Sequence, residues 1–371
     1  MKKSIYASLL PAIILINVNI QRLTAAPVTR DSSHDFSAAA AEEAIKQFMD
    51  KYKVPGLSIA VGKDGKIVYA RGFGIADSAA NKKVNTQSQF RIASLSKPIT
   101  AVAILKLAEQ GKFSLDDKVF GEGGVLGTAY GTQPYPEGIS SITIRQLLSH
   151  ISGGWQNNGD DPMFHNKNLT ADQLISHTLN NQPLKNRPGT AYAYSNFGYC
   201  VLGRVIEKVT GKPYEKFMLT EILRPAGVKH MEVGGNTADE KRKHEVVYYS
   251  RDRSAYLDNV ARMDAHGGWI ATPTDLVKFL WQVDGFDNRP DILQSASIRE
   301  MTTPSKPNPS YALGWSVAGA TWKHTGSLPG TGAEMIRTGG GYCCAVLVNT
   351  KQGGDFFKDL DILVKKITGL P

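Results

Sequence analysis

The spacing of apolar residues along this chain changes period more than once. Residues 37–52 place them three and four apart, as one face of a helix requires. Residues 56–62 and 66–74 are short apolar runs on either side of Lys63-Asp64-Gly65, which predicts a hairpin. The helical interval returns at Pro98 and stops at Gly111. From about residue 115 to 300 the pattern is one of short helices and loops. Helices are predicted over 143–150, 170–179, 197–210 and 213–223, with a further start at Thr272-Pro273-Thr274-Asp275. Strand-like runs follow at 313–318, 321–324, 333–337 and 342–349, and a last helix spans 356–367.

Strands at both ends with helices between predict an α+β fold. One antiparallel sheet would draw on both chain ends, with the terminal helices covering one face. The expected organisation is a single domain over 26–371. Its α/β part covers about 36–114 and 301–371, and an inserted, mainly helical part covers about 115–300.

Composition narrows the options. A chain of 371 residues that is 42% hydrophobic can bury a large core. Lys2 and Lys3, an apolar stretch over 4–20 and the small residues near Ala25 read as a signal peptide of residues 1–25. The chain is therefore expected to be secreted or periplasmic, with no stable membrane anchor after cleavage. Its formal net charge of +9 is spread along the sequence, with Lys241-Arg242-Lys243 as the one short cluster. That is a solvated surface and no nucleic-acid footprint. Cys200, Cys343 and Cys344 form no metal-ligand spacing, and the adjacent pair on a strand should face opposite ways. No His-Glu-x-x-His, Gly-x-Ser-x-Gly or phosphate-binding glycine loop is present. No metal and no cofactor are expected.

Three short motifs carry chemistry. Ser94-Leu95-Ser96-Lys97 opens the predicted helix, and residues three apart share a helix face. The Ser94 hydroxyl and the Lys97 amine can therefore meet, and a desolvated lysine can activate a serine. Tyr194-Ser195-Asn196 follows the turn signal Pro188-Gly189-Thr190 and precedes a helix. His324-Thr325-Gly326-Ser327 ends a strand-like run and precedes Leu328-Pro329-Gly330.

Serine and lysine, then Tyr-x-Asn, then a basic residue with Thr-Gly is the order of the penicillin-recognising serine enzymes. The chain resembles the serine beta-lactamase-related family, which includes class C beta-lactamases, D-alanyl-D-alanine carboxypeptidases, D-aminopeptidases and certain esterases. Leu147-Leu148-Ser149-His150-Ile151-Ser152-Gly153 and the stretch from Gly267 to Leu276 agree with it. The resemblance implies a beta-lactamase/transpeptidase-like fold. It also implies an exported serine hydrolase that forms an acyl-enzyme on Ser94 and acts on small amides or peptides ending in D-residues. It casts Lys97 and Tyr194 as the coupled proton carriers, and which of the two is the base stays open. Asn196 would bind a substrate amide and the Lys97 amine. His324, Thr325 and Gly326 would form an edge strand beside the substrate. The Ser327 backbone N–H, with that of Ser94, would form an oxyanion hole.

His324 departs from class C beta-lactamases, which carry lysine there. An ordinary histidine titrates near neutrality, so activity is expected to depend on pH between about 5 and 8 through this residue. His150 and His266 read as structural or packing residues near the cleft. Two other readings stay open: an esterase or beta-lactamase with the same machinery, and a non-catalytic binding or filament-forming relative.

Overall fold

The computed structural model describes residues 36–159 and 161–370. The expected signal segment lies outside them. In chain order the first elements are α1 (Ala38–Tyr52), β1 (Gly56–Lys63), β2 (Lys66–Asp77), β3 (Lys82–Lys83), β4 (Phe90–Arg91) and α2 (Ser96–Glu109). Next come α3 (Ile144–Leu148), α4 (Ala171–Asn181), α5 (Asn196–Thr210), α6 (Tyr214–Phe217), β5 (Glu232–Val233), β6 (Trp269–Ala271), α7 (Pro273–Leu280) and α8 (Ser295–Met301). The chain closes with β7 (Ser316–Ala318), β8 (Thr321–Leu328), β9 (Thr331–Arg337), β10 (Tyr342–Val348) and α9 (Phe356–Thr368).

The main sheet has seven strands in the order β3-β2-β1-β10-β9-β8-β7, with every neighbouring pair antiparallel. The two chain ends meet where β1 pairs with β10, Leu57 facing Val348 and Val61 facing Cys344. Asp64 and Gly65 both take positive φ between β1 and β2, which a tight hairpin turn needs. Central β1 is apolar on both faces because both are covered. Leu57, Ile59 and Val61 pack with α1 and α9, while Ala60 joins the larger core on the other side. Cys343 and Cys344 split in the same way, one to each core, and all three cysteines are buried free thiols.

Helix α2 lies within the larger core and is buried on nearly every side from Ser96 to Leu105. A helix apolar all round is stable only in such a place, and this one carries Lys97 into the interior. The expected strand at 313–318 begins only at Ser316, because Gly314 takes φ +85 and Ala312 N–H closes a turn on the Trp315 carbonyl. The strand expected at 321–324 continues to Leu328. A second, three-stranded sheet of β4, β6 and β5 was not foreseen, since strands of two or three residues show no period. Among the described residues no helix is long and apolar enough to cross a membrane.

Candidate active site

Ser94 sits in a single 3-10 turn, Ala93–Leu95, just before α2, rather than in the helix itself. Ala93 takes φ +49, and the Ser96 hydroxyl closes the turn on the Ala93 carbonyl at 2.7 Å. The preceding residue is tied to the small sheet by Ile92 N–H to the Trp269 carbonyl at 3.0 Å. The turn is thus fixed from below, and Ser94 itself remains partly exposed.

Lys97 lies under Ser94 with no solvent exposure. Its Nζ is 3.1 Å from Ser94 Oγ, 2.7 Å from Asn196 Oδ1 and 3.0 Å from the His266 carbonyl oxygen. Burial lowers its pKa from the usual 10.5 to about 7, against a partial opposing pull from the Asp161 carboxylate. A neutral amine has two hydrogens and one lone pair. Asn196 Oδ1 and the His266 carbonyl can only accept, so they take the two hydrogens. The lone pair is left for the Ser94 O–H. Two rings, Tyr194 and Tyr199, stand 4.8 and 5.7 Å from Nζ and favour the ammonium once a proton arrives.

Tyr194 precedes the Ser195 cap of α5. Burial raises its pKa well above the ordinary 10, only partly offset by its hydrogen bond with Ser94. Burial thus favours the protonated hydroxyl, while of the pair it is the Lys97 amine whose pKa is brought near neutrality. His150 packs its ring 4.1 Å from the Tyr194 ring, centroid to centroid.

His324 is buried on β8, 4% exposed. Its Nδ1 is 2.7 Å from the Thr325 carbonyl oxygen and its Nε2 is 3.1 Å from Tyr311 Oη. Burial first, then the nearby Lys97 charge, lowers its pKa to about 3. This corrects the expectation of a histidine titrating between about 5 and 8: burial removes the solvation that would stabilise a second proton on the ring.

Strand β7 pairs with β8 only as far as Lys323, so β8 past that point has a free edge among the described residues. Along it Thr325 and Ser327 are exposed and Gly326 is buried. A Cβ on Gly326 would lie 2.2 Å from the Ile92 carbonyl oxygen and 3.0 Å from a Leu95 methyl. Only glycine lets the strand approach the Ser94 turn this closely. Ser327 Oγ accepts from Lys351 Nζ at 3.1 Å, at one end of a cleft of about 320 Å³ that Phe164 and Leu328 also line.

Ser94, Lys97, Tyr194, Asn196 and His324 therefore come together, with Gly326 against the Ser94 turn and Thr325 and Ser327 exposed along the same strand edge. Sequence reasoning missed Asp161, Tyr311 and the carbonyl of His266. Asp161 is buried and accepts from Asn196 N–H at 2.7 Å and Met163 N–H at 3.1 Å. Each belongs to a loop distant in sequence from Ser94, with no spacing to mark it. Among the described residues no group of three or more His, Cys, Asp or Glu side chains could hold a metal ion.

The beta-lactamase family profile matches residues 41–368. Protein flp of Staphylococcus aureus strain MRSA252 is 28% identical over 277 residues, which is 73% of this chain and 54% of flp. The chain thus spans about half the length of the curated relatives that head the comparison. The octameric penicillin-binding protein homologue from Pyrococcus abyssi superposes with a TM-score of 0.73 at 26% identity, covering 90% of this chain and 78% of that one. The D-amino acid amidase from Ochrobactrum anthropi SV3 gives 0.73 at 24%, covering 89% and 97%. At that identity the amidase likeness is one of fold.

Proposed function

The chain belongs to the beta-lactamase family, and on that premise we propose that it is an exported serine hydrolase working through an acyl-enzyme on Ser94. The observation that carries this is the Lys97 amine, which has two obligate acceptors and a lone pair left for the Ser94 hydroxyl. In the reaction Ser94 gives its proton to Lys97 as Oγ bonds to the substrate carbonyl carbon. The oxyanion is held by the backbone N–H groups of Ser94 and Ser327. Collapse breaks the bond to the leaving amine or alkoxide, which takes up the proton through protonated Tyr194. Water then attacks the ester, Lys97 again accepts the proton, and Ser94 is restored.

The substrates are small amides and peptides ending in D-residues, in the manner of a penicillin-binding D,D-carboxypeptidase. Support comes from the Pyrococcus abyssi penicillin-binding protein homologue at 26% identity. One observation favours a second reading, an esterase for uncharged substrates: neutral His324 gives a substrate carboxylate no cation where class C enzymes keep lysine. Side-by-side turnover of a D-alanyl-D-alanine peptide, benzylpenicillin and a p-nitrophenyl ester tests both. Peptide cleavage supports the first reading. Ester cleavage alone supports the second, and turnover of none of the three removes both.

A further inference from the structure

Tyr194 is gripped from both sides by a single residue outside the three motifs. The His150 carbonyl accepts from Ala193 N–H at 2.7 Å, and His150 Nδ1 accepts from Ser195 N–H at 3.1 Å. Its buried ring contacts Tyr194 and three more tyrosines, 192, 199 and 311. To reach this position His150 takes φ +58, a region that residues other than glycine enter at a cost and keep where the surroundings demand it.

From His150 a hydrogen-bond chain runs to the third motif, and its two ends fix every proton in it. A backbone N–H only donates, so His150 Nδ1 is an acceptor and the ring hydrogen sits on Nε2. A carbonyl only accepts, so the His324 hydrogen sits on Nδ1, facing the Thr325 oxygen, and Nε2 keeps a lone pair. Tyr311 Oη stands between the rings, 3.2 Å from His150 Nε2 and 3.1 Å from His324 Nε2. It therefore accepts from His150 and donates to His324; the Tyr199 hydroxyl, also a hydrogen-bond neighbour of Tyr311, gives its own hydrogen to the Leu148 carbonyl at 2.8 Å. With both rings neutral, no other arrangement satisfies all four contacts. A proton added at His324 Nε2 would aim two N–H donors at the Tyr311 oxygen and expel its own hydrogen from the chain.

We propose that His150 and Tyr311 are positioning residues that hold Tyr194 over the Ser94–Lys97 pair and lock His324 as a neutral Nδ1–H imidazole. The Tyr194-Ser195-Asn196 loop and strand β8 are thereby joined into one unit. The kinetic consequence rests on the serine hydrolase reading. Displacement of Tyr194 disturbs proton transfer more than substrate binding, so loss of the chain acts on kcat rather than KM.

The first test is nitrogen NMR of the wild-type protein with labelled imidazoles, assigned by His150→Asn and His324→Asn. The expected result near neutral pH is two neutral rings of opposite tautomer, Nε2–H at His150 and Nδ1–H at His324. An imidazolium or an Nε2–H tautomer at His324 overturns the proposal. This arm needs no substrate, so it stands or falls separately from the functional reading. The second test is Tyr311→Phe with a p-nitrophenyl ester. A kcat loss of about tenfold or more, with KM held within about twofold, is expected. Wild-type kcat in this variant overturns the proposal. His150→Asn keeps an acceptor for Ser195 N–H and tolerates the left-handed backbone, so it is expected to recover part of the kcat that His150→Ala loses. Equal losses in the two variants overturn the clamp on Tyr194.

Discussion

Lys97 Nζ approaches Ser94 Oγ to 3.1 Å from inside the protein, on a side chain that solvent does not reach. Buried position and short distance have one cause: Ser94 sits in the turn that leads directly into the core-surrounded helix carrying Lys97. The same burial that makes the lysine costly makes it a base near neutrality, and the expected outcomes below follow from that link.

The pH dependence is expected to follow Lys97 rather than His324. The base must be unprotonated, and its pKa is about 7. The value of kcat/KM is expected to fall roughly tenfold per pH unit below that point and to level off above it. His324 is neutral throughout the working range, so His324→Asn is expected to leave the midpoint in place. An acid limb that vanishes in His324→Asn would contradict this.

Asp161 tunes that midpoint. Its carboxylate is held by the N–H groups of Asn196 and Met163 and raises the Lys97 pKa by charge attraction. Asp161→Asn removes the charge while keeping an acceptor oxygen. The limb of the rate profile is expected to move to lower pH, and a move to higher pH would reject the coupling.

Stability is expected to show the opposite face of the same burial. The Lys97 pKa is depressed on folding, from 10.5 to about 7. The unfolded chain therefore binds the proton more tightly over that interval. The cost to the folded state is complete below about pH 7 and fades as pH rises toward 10.5. Lys97→Met removes this pH-dependent cost, while leaving Asn196 Oδ1 and the His266 carbonyl unpaired adds a constant one. Melting temperature of the variant relative to wild type is expected to rise as pH is lowered across the interval. A difference independent of pH would show that the lysine is not perturbed.

Gly326 sets the distance between β8 and the nucleophile turn. Alanine there would collide with the Ile92 carbonyl, a backbone atom that cannot swing aside. Gly326→Ala is expected to cost about 1–3 kcal/mol of stability and to lower kcat/KM by about a hundredfold through misplacement of Ser94 against the strand. Unchanged kinetics would mean that the close approach is not used.

Much of this arrangement was readable in the sequence because it is local. Ser94 and Lys97 lie one helical turn apart, Tyr194 and Asn196 flank one helix cap, and His324 to Ser327 is one stretch of strand. The short apolar run at 342–348 announced a buried strand, and the adjacency of Cys343 and Cys344 on it placed them on opposite faces. Asp161, Tyr311 and the His266 carbonyl were not readable. Each reaches the site through contacts between segments far apart in sequence: Tyr311 lies 161 residues from His150, His266 lies 169 from Lys97, and Asp161 lies 35 from Asn196. The protonation of His324 was misjudged for the same reason. The identity of the residue was plain, but the burial that decides its charge belongs to the fold.

The central claim is that Ser94 carries the acyl group. The direct measurement is intact mass of wild type and Ser94→Ala, quenched during incubation with benzylpenicillin and, separately, with a p-nitrophenyl ester. A single acyl adduct is expected on wild type with at least one reagent, mapped to the peptide containing Ser94 and absent from Ser94→Ala, along with loss of hydrolysis in the variant. An adduct of equal yield on Ser94→Ala, or hydrolysis by that variant at the wild-type rate, would contradict it.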